Sequence, residues 1–133
     1  MKKSIKIIHW TPRFLCILAI LFISIFSLDA FGHGKPFWNQ IGDFLMHLIP
    51  SFILAGILLL AWKKEIIGGV IFILIGAIAT PWVYSHNFAM NQSVGQTIGI
   101  VMTLTAPFVL VGVLFIIGHY MKKKEQKTKG SIT

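Results

Sequence analysis

The chain has 133 residues, of which 56% are apolar and 12% are charged, and its formal net charge is +8. Soluble domains are about half apolar and a quarter charged. In this chain residues 66–121 contain no Lys, Arg, Asp or Glu, and a soluble domain of this size could not cover its surface with so long an uncharged segment. The composition therefore indicates an integral membrane protein. The cations form short clusters beside apolar runs, as anchors near anionic lipid do, so no nucleic-acid partner is expected.

Four apolar runs approach the roughly 20 helical residues that cross a bilayer. They cover residues 14–31, 44–62, 66–84 and 94–120. Because lipid offers no partner to an unpaired backbone, each run is expected to be a helix, and short loops make successive helices antiparallel neighbours. The predicted fold is all-α, an integral membrane up-down four-helix bundle over residues 14–121. A basic N-terminus, 1–13, precedes it, and the basic tail, 122–133, is predicted to be disordered.

The first span has a helix-start signal in front of it, with Thr11 as the expected cap and Pro12 in the first turn. A rival interpretation is a secretory signal cleaved after Ala30, although Asp29 suits a cleavage site poorly. The single cysteine, Cys16, lies within this span and is expected to pack as a small apolar side chain. Either interpretation leaves the C-terminus on the same side of the membrane.

Cations and aromatic residues indicate the same orientation. Eleven of the twelve Lys and Arg residues precede the first span, lie in the turn at residues 63 and 64, or follow the fourth span, whereas Lys35 lies on the other side. The positive-inside rule then places both termini and the turn at residues 63 and 64 in the cytoplasm. The expected interface anchors are Trp10, Trp62 and Tyr120 inside, and Trp38, Trp82 and Tyr84 outside.

One face of the second span is polar. Asp43, His47 and Ser51 recur every four residues and therefore share one side of a helix. Asp43 is expected to cap the helix and to accept a hydrogen bond from His47, as carboxylates do for metal-binding histidines.

The fourth span is expected to bend at Pro107, with Thr103 at the carbonyl that the proline leaves free. The polar loop before it, residues 85–93, is expected to cap the fourth helix through Asn91 or Ser93. Binding of a polar ligand is the other interpretation of this loop.

The ionisable groups of the outer side suggest a site that binds a metal ion or transfers protons. His33, Asp43, His47 and His86, together with Asp29, fall near the external face in this topology. Imidazole and carboxylate groups bind zinc and similar divalent ions, and histidine also transfers protons near neutral pH. The simpler interpretation is that they cap helices and form hydrogen bonds within the bundle, since three separate segments supply them without any His-x-x-x-His or Glu-x-x-His pair. No cofactor is expected.

Catalytic motifs are missing from the sequence. It has no Gly-x-Ser-x-Gly elbow, no phosphate loop and no membrane-embedded carboxylate pair, so neither catalytic residues nor enzyme activity are expected.

A stripe of small residues marks the fourth span, where Gly95, Gly99 and Thr103 follow at four-residue spacing. Such a stripe lets another helix backbone approach closely. The first interpretation is packing within one four-helix bundle, and the second is a homodimer through this face.

Three stretches carry a resemblance: "RFLCILAILFISIFSLDAF", "FWNQIGDFLMHLIPSFILAGILLLAWKKEIIGGVIFILIG" and "TAPFVLVGVLFIIGHY". They resemble a family of small bacterial membrane proteins with four predicted spans and no assigned activity. In that pattern the first span ends in aliphatic-Asp-x-Phe, here with Asp29, and the second begins hydrophobic-His-Leu-Ile-Pro, here with His47 and Pro50. The resemblance implies the four-span fold and its orientation, and it implies no catalytic residue.

Two functions from different classes fit these patterns. The first is a small non-enzymatic component of the lipid bilayer that acts through helix–helix contacts, as a homo-oligomer or within a larger membrane complex. The second is a ligand-handling protein, metal- or proton-binding and transporter-like, that uses the outer group of Asp43, His47, His33 and His86.

Overall fold

A computed structural model describes residues 2–132 of the chain. Every regular element in that range is helical: α1 (Lys3–Ile25), a 3₁₀ helix (Phe26–Ala30), α2 (Phe37–Lys63), α3 (Glu65–Asn91), α4 (Val94–Leu104) and α5 (Ala106–Gly130). They form four units that are long and apolar enough to cross a membrane, the first made of α1 with the 3₁₀ helix and the fourth of α4 with α5. The all-α class and the four span-length units agree with the sequence-based expectation.

The start of α1 and the C-terminal part of α5 meet the turn between α2 and α3 at one end of the bundle. The backbone amide of Lys2 donates to Glu125 Oε1 at 3.2 Å, and Arg13 of α1 reaches Glu65 of α3 at 3.1 Å. All Lys and Arg residues except Lys35 belong to the segments that meet here. We call this the basic end, and the other the opposite end.

Helix α1 begins at Lys3, well before the predicted start. Thr11 is not a cap, because its hydroxyl donates to the carbonyl four residues earlier at 2.7 Å, and Pro12 lies inside the helix. The predicted start at Thr11 is therefore wrong. The reason is tertiary packing: α1 runs along α5, and Ile5 in its first turns is only 5% exposed.

Helix α5 continues to Gly130, so the disordered tail predicted for 122–133 is wrong over its helical part. Lys129 lies 3.3 Å from Glu125 one turn earlier, and cations near a helix C-terminus are favoured by the helix dipole. The carboxylate of Glu125 also accepts the hydrogen bond from Lys2. The first and last turns of the described chain therefore hold each other in place.

The connection between the third and fourth spans is only Gln92 and Ser93, because α3 stays helical to Asn91 where the sequence predicts a loop over 85–93. Gln92 ends α3 in the left-handed conformation, with φ at 51°. Ser93 caps α4 by accepting a hydrogen bond from the Gln96 amide at 3.4 Å, and Asn91 Oδ1 accepts from the Ser93 amide at 2.9 Å. The predicted capping by this segment is confirmed.

Pro107 interrupts the fourth span, as expected for a proline inside a helix, and separates α4 from α5. The residue that supports the break is Thr105 rather than Thr103. The Thr105 hydroxyl donates to the Val101 carbonyl at 2.9 Å and accepts from the Thr80 hydroxyl at 3.0 Å. The break is thus bonded to α3.

The core lies mainly between α3 and α5. Phe72 of α3 stacks between Phe108 and Phe115 of α5, with ring centroids 6.2 and 6.3 Å apart. The two backbones come together at Gly69 and Gly112, where a Cβ on Gly69 would lie 2.7 Å from the Gly112 carbonyl oxygen. A larger residue does not fit that approach, so these glycines set the spacing of the two helices.

The first two spans are joined by a hydrogen bond inside the apolar region. Ser24 Oγ of α1 donates to Ser51 Oγ of α2 at 2.9 Å, and hydrogen bonds of this kind join helices within an apolar bundle. Cys16 is fully buried in the apolar core, and its predicted packing role is confirmed.

Candidate functional site

A buried cluster of charges surrounds one carboxylate at the basic end. Glu65, the first residue of α3, has a side chain only 11% exposed. Arg13 Nη2 of α1 lies 3.1 Å from Glu65 Oε1, and Lys122 Nζ of α5 lies 2.5 Å from the same oxygen. One carboxylate therefore ties together three helices, and we call this group of residues the Glu65 cluster.

Arg13 is the deepest member of the Glu65 cluster. Its side chain is 1% exposed, and its guanidinium lies over the rings of Trp62 and Phe115, 5.2 and 5.1 Å from their centroids. The Nη1 group donates to the backbone carbonyl of His9, whereas Nε is buried with no hydrogen-bond partner in the described part of the chain. Aromatic faces attract the cation, but a charge this deep needs its carboxylate as well.

Two histidines complete the Glu65 cluster. His9 Nδ1 lies 3.4 Å from Glu65 Oε1, and His119 Nδ1 lies 3.7 Å from Oε2. A single negative charge thus faces a guanidinium, an ammonium and two imidazoles. The cluster carries an excess of positive charge and of hydrogen-bond donors.

A cavity of about 420 Å³ opens beside the Glu65 cluster, within the range that ligand pockets occupy. Three lysines, two histidines and one carboxylate line it, together with three apolar residues: Lys63, Lys64, Lys122, His9, His119, Glu65, Trp62, Ile66 and Ile67. We call it the basic cavity. Its wall carries more cationic than anionic groups, which favours an anion over a metal ion.

The sequence does not predict this cluster. It identifies Arg13 and Lys122 only as markers of orientation, and it assigns no role to Glu65. One signal was present: Glu65 is the only acidic residue between Asp43 and Glu125, and it directly follows two lysines in a tight turn.

At the opposite end, the predicted pairing of His47 with the Asp43 carboxylate is wrong. His47 Nδ1 lies 2.7 Å from the backbone carbonyl of Asp43, while the Asp43 carboxylate forms an ion pair with Lys35 at 2.7 Å. The loop before α2 supplies this lysine, and a full charge competes better for the carboxylate than an imidazole does. Ser51, on the same predicted face, is buried against α1 while His47 is exposed.

The remaining candidate metal ligands, His86 and His33, have other surroundings in the structure. His86 stacks on Trp82 with the ring centroids 5.6 Å apart, and His33 is exposed in the segment before α2. Within residues 2–132, no group of three His, Cys, Asp or Glu side chains is placed to hold a metal ion. The structure therefore does not bring His33, Asp43, His47 and His86 together as a metal centre.

The small-residue stripe of the fourth span lies on the outside of α4. Gly95, Gly99 and Thr103 are all exposed, and a Cβ built on either glycine meets no atom within 4 Å in the described structure. The two glycines therefore make no close helix contact in the described structure, and the role of this stripe in helix packing stays a prediction. We call these three residues the α4 glycine face.

The aromatic residues predicted as interface anchors lie toward the two ends. Trp10 and Trp62 pack edge to face at the basic end, 6.1 Å apart, and Tyr120 is exposed on α5, two residues before Lys122. Trp38 is 79% exposed at the start of α2, and Trp82 lies about 25 Å along α3 from the basic end at the usual helical rise. Their role as interface anchors stays a prediction, as does that of Tyr84.

Four helical units that are long and apolar enough to cross a bilayer, packed around one core, are the architecture of a multi-pass membrane protein. More particularly, the chain belongs to the family described as Domain of unknown function (DUF7670), whose family model matches residues 1–128. No curated protein and no solved structure matches the chain. The matched region includes the Glu65 cluster and the α4 glycine face.

Proposed function

We propose that this chain is a multi-pass, non-enzymatic protein of the bacterial cytoplasmic membrane that acts by helix–helix association with a second copy of itself. The α4 glycine face is the observation that carries the proposal. The absence of catalytic motifs from the sequence supports a non-enzymatic role.

The α4 glycine face differs from the glycines used inside the bundle. Gly69 and Gly112 already lie against the facing backbone of α5 and α3, whereas Gly95 and Gly99 are open. Lipid is as apolar as the helix surface, so exposed apolar side chains by themselves do not drive association. Close backbone approach at small residues does. Thr103 extends the stripe by one turn, and its hydroxyl is bonded within α4 to the Gly99 carbonyl at 2.8 Å, so it adds no unsatisfied polar group to the interface.

Charge supports the proposed orientation, with the basic end in the cytoplasm. The segments that meet at this end contain eleven of the twelve Lys and Arg residues, and the α1–α2 connection at the opposite end contains Lys35. Cytoplasmic loops of bacterial membrane proteins carry this excess, and anionic lipid attracts it. The resemblance noted from sequence supports a bacterial origin.

The orientation can be tested by cysteine labelling of intact cells. The only native cysteine, Cys16, is fully buried, so the wild type provides a low background. Lys35→Cys is expected to react with a membrane-impermeant thiol reagent from outside, and Lys64→Cys to react only after the cells are permeabilised. Both positions are exposed, so the comparison is matched. Labelling of Lys64→Cys in intact cells would contradict the proposed orientation.

Self-association through the α4 glycine face is expected to weaken about tenfold or more in Gly99→Ile, because the added side chain separates the two backbones. Energy transfer between donor- and acceptor-labelled copies in lipid bilayers measures the association. The monomer should still fold, since a Cβ at Gly99 meets no atom within 4 Å in the described structure and the position borders an open groove of about 620 Å³.

Gly56→Ile is the matched control for this experiment. Gly56 lies in α2, and a Cβ built on it also meets no atom within 4 Å in the described structure. It has no small residue four positions before or after it, so it does not belong to a stripe of small residues. We expect this variant to associate like the wild type. A wild type that stays monomeric at high protein-to-lipid ratio, or equal losses in Gly99→Ile and Gly56→Ile, would rule out the proposed interface. A monomer that co-purifies with other membrane proteins would instead favour a larger complex.

A further inference from the structure

We propose that the basic cavity binds a phosphate group, carried either by an anionic lipid headgroup or by a free phosphate. This inference does not depend on self-association through the α4 glycine face. It rests on three features of the basic end: two lysines without a carboxylate partner among the described residues, the start of α3 without a side-chain cap, and the composition of the cavity wall.

The lysines of the α2–α3 turn are available to a ligand. Arg13 and Lys122 are already committed to Glu65 at 3.1 and 2.5 Å. Lys63 and Lys64 line the same cavity, are exposed, and form no ion pair with a carboxylate among the described residues. The positive charges of Lys63 and Lys64 lie next to the Glu65 carboxylate, which Arg13 and Lys122 already neutralise, so they favour binding of an anion.

The first turn of α3 lies beside the same cavity. Helix α3 begins at Glu65 without a side-chain cap in the described structure. The first backbone amide that forms a helical hydrogen bond is that of Gly68, which donates to the Lys64 carbonyl at 2.9 Å. The amides that precede it in this turn, including those of Ile66 and Ile67, are free of the helical ladder, and both residues line the cavity. Free amides and the helix dipole both favour a negative charge there.

The chemistry of the wall favours phosphate over other anions. A phosphate offers several oxygens and up to two negative charges, so it accepts charge-assisted hydrogen bonds from two lysines and from backbone amides at once. His9 and His119 also line the cavity, and each imidazole ring has at least one N–H donor whether it is neutral or protonated. Trp62 provides an apolar, interface-seeking surface beside these donors, as expected of a pocket at the level of lipid headgroups.

The test compares two double variants with the same change in charge. Lys63→Gln with Lys64→Gln removes the free cations of the basic cavity and leaves the Arg13–Glu65–Lys122 contacts in place. The control, Lys123→Gln with Lys127→Gln, removes two exposed lysines of the same end that do not line the cavity. Both proteins are reconstituted in phosphatidylcholine nanodiscs, and their thermal stability is compared with that of the wild type.

Two arms distinguish the sources of the phosphate. In the first, radiolabelled inorganic phosphate is titrated into wild-type nanodiscs. In the second, phosphatidylglycerol is added to the nanodiscs, and native mass spectrometry counts the lipids that remain bound. We expect the cavity variant to lose about tenfold or more of the affinity in whichever arm the wild type binds, and the control to stay close to wild type.

Saturable binding in the first arm identifies a free phosphate as the ligand, and selective retention of phosphatidylglycerol in the second identifies a lipid headgroup. Absence of binding to the wild type in both arms would overturn the proposal. Equal losses in the cavity and control variants would overturn it too, because they would show general surface charge rather than a built site.

Discussion

Replacement of Glu65 by alanine is expected to lower the free energy of unfolding by about 3–5 kcal/mol, because it leaves Arg13 as a buried charge without its carboxylate. The Arg13 side chain is 1% exposed and is enclosed between Trp62 and Phe115, so no small movement returns it to water. The same change also releases Lys122 from the carboxylate it shares with Arg13. Reversible unfolding of the purified protein with SDS in mixed micelles measures the difference.

Asp43→Ala is the matched control, since it also removes one carboxylate from one lysine. The Lys35–Asp43 pair is short, at 2.7 Å, but its side chains are 52% and 36% exposed. Exposed ion pairs contribute little to stability because water screens them, so the control should unfold almost like the wild type. If Glu65→Ala and Asp43→Ala lower the free energy of unfolding equally, burial does not determine how much the Glu65 cluster contributes to stability.

A second substitution separates the unpaired charge from other effects of Glu65→Ala. Adding Arg13→Met removes the buried cation and leaves an unbranched apolar side chain against the two aromatic rings. Part of the lost stability should return, because replacing a buried ion pair by apolar residues is often close to neutral. No recovery in the double variant would place the defect of Glu65→Ala elsewhere than in the stranded guanidinium.

The four spans are predictable from sequence because lipid selects for long apolar helices, and that signal lies in each segment by itself. The helix ends are less predictable, because other segments provide their contacts. Residues 3–13 and 122–130 are polar enough to resemble flanking tails, and they are helical because α1 packs along α5 and Glu125 bonds Lys2. Local signals such as Thr11 and Pro12 carry no information on that packing.

The Glu65 cluster could not be assembled from sequence, since Arg13 and Lys122 lie 52 and 57 residues away from Glu65. No spacing rule reaches across such distances. The positive-inside rule already explains why Arg13 and Lys122 flank their spans, so nothing in the sequence indicates that they also pair with Glu65. Only the packing of α1 and α5 against the start of α3 shows that these charges face one carboxylate.

Asp43 and His47, at the opposite end, show that spacing along a helix can identify neighbours without identifying the atoms that bond. A four-residue interval correctly places His47 one turn from Asp43, but it does not distinguish the carbonyl of Asp43 from its carboxylate. The structure gives the carbonyl to His47 and the carboxylate to Lys35. A loop residue thereby decides the chemistry of a helical face.

Gly69→Ala is expected to lower the free energy of unfolding by about 1–3 kcal/mol, because the new methyl group overpacks the contact between α3 and α5. Its Cβ would lie 2.7 Å from the Gly112 carbonyl oxygen and 2.9 Å from Ile116 Cγ1, so a backbone has to move. The same SDS titration measures this loss.

Gly99→Ala makes the identical chemical change on the α4 glycine face, where a Cβ meets no atom within 4 Å in the described structure. Alanine is favoured over glycine in a helix by about 1 kcal/mol, so this variant should keep or gain stability as a monomer. The two substitutions are therefore expected to differ in sign. If Gly99→Ala instead destabilises the monomer as Gly69→Ala does, the α4 glycine face is packed inside the fold, and it is not free to receive a second copy.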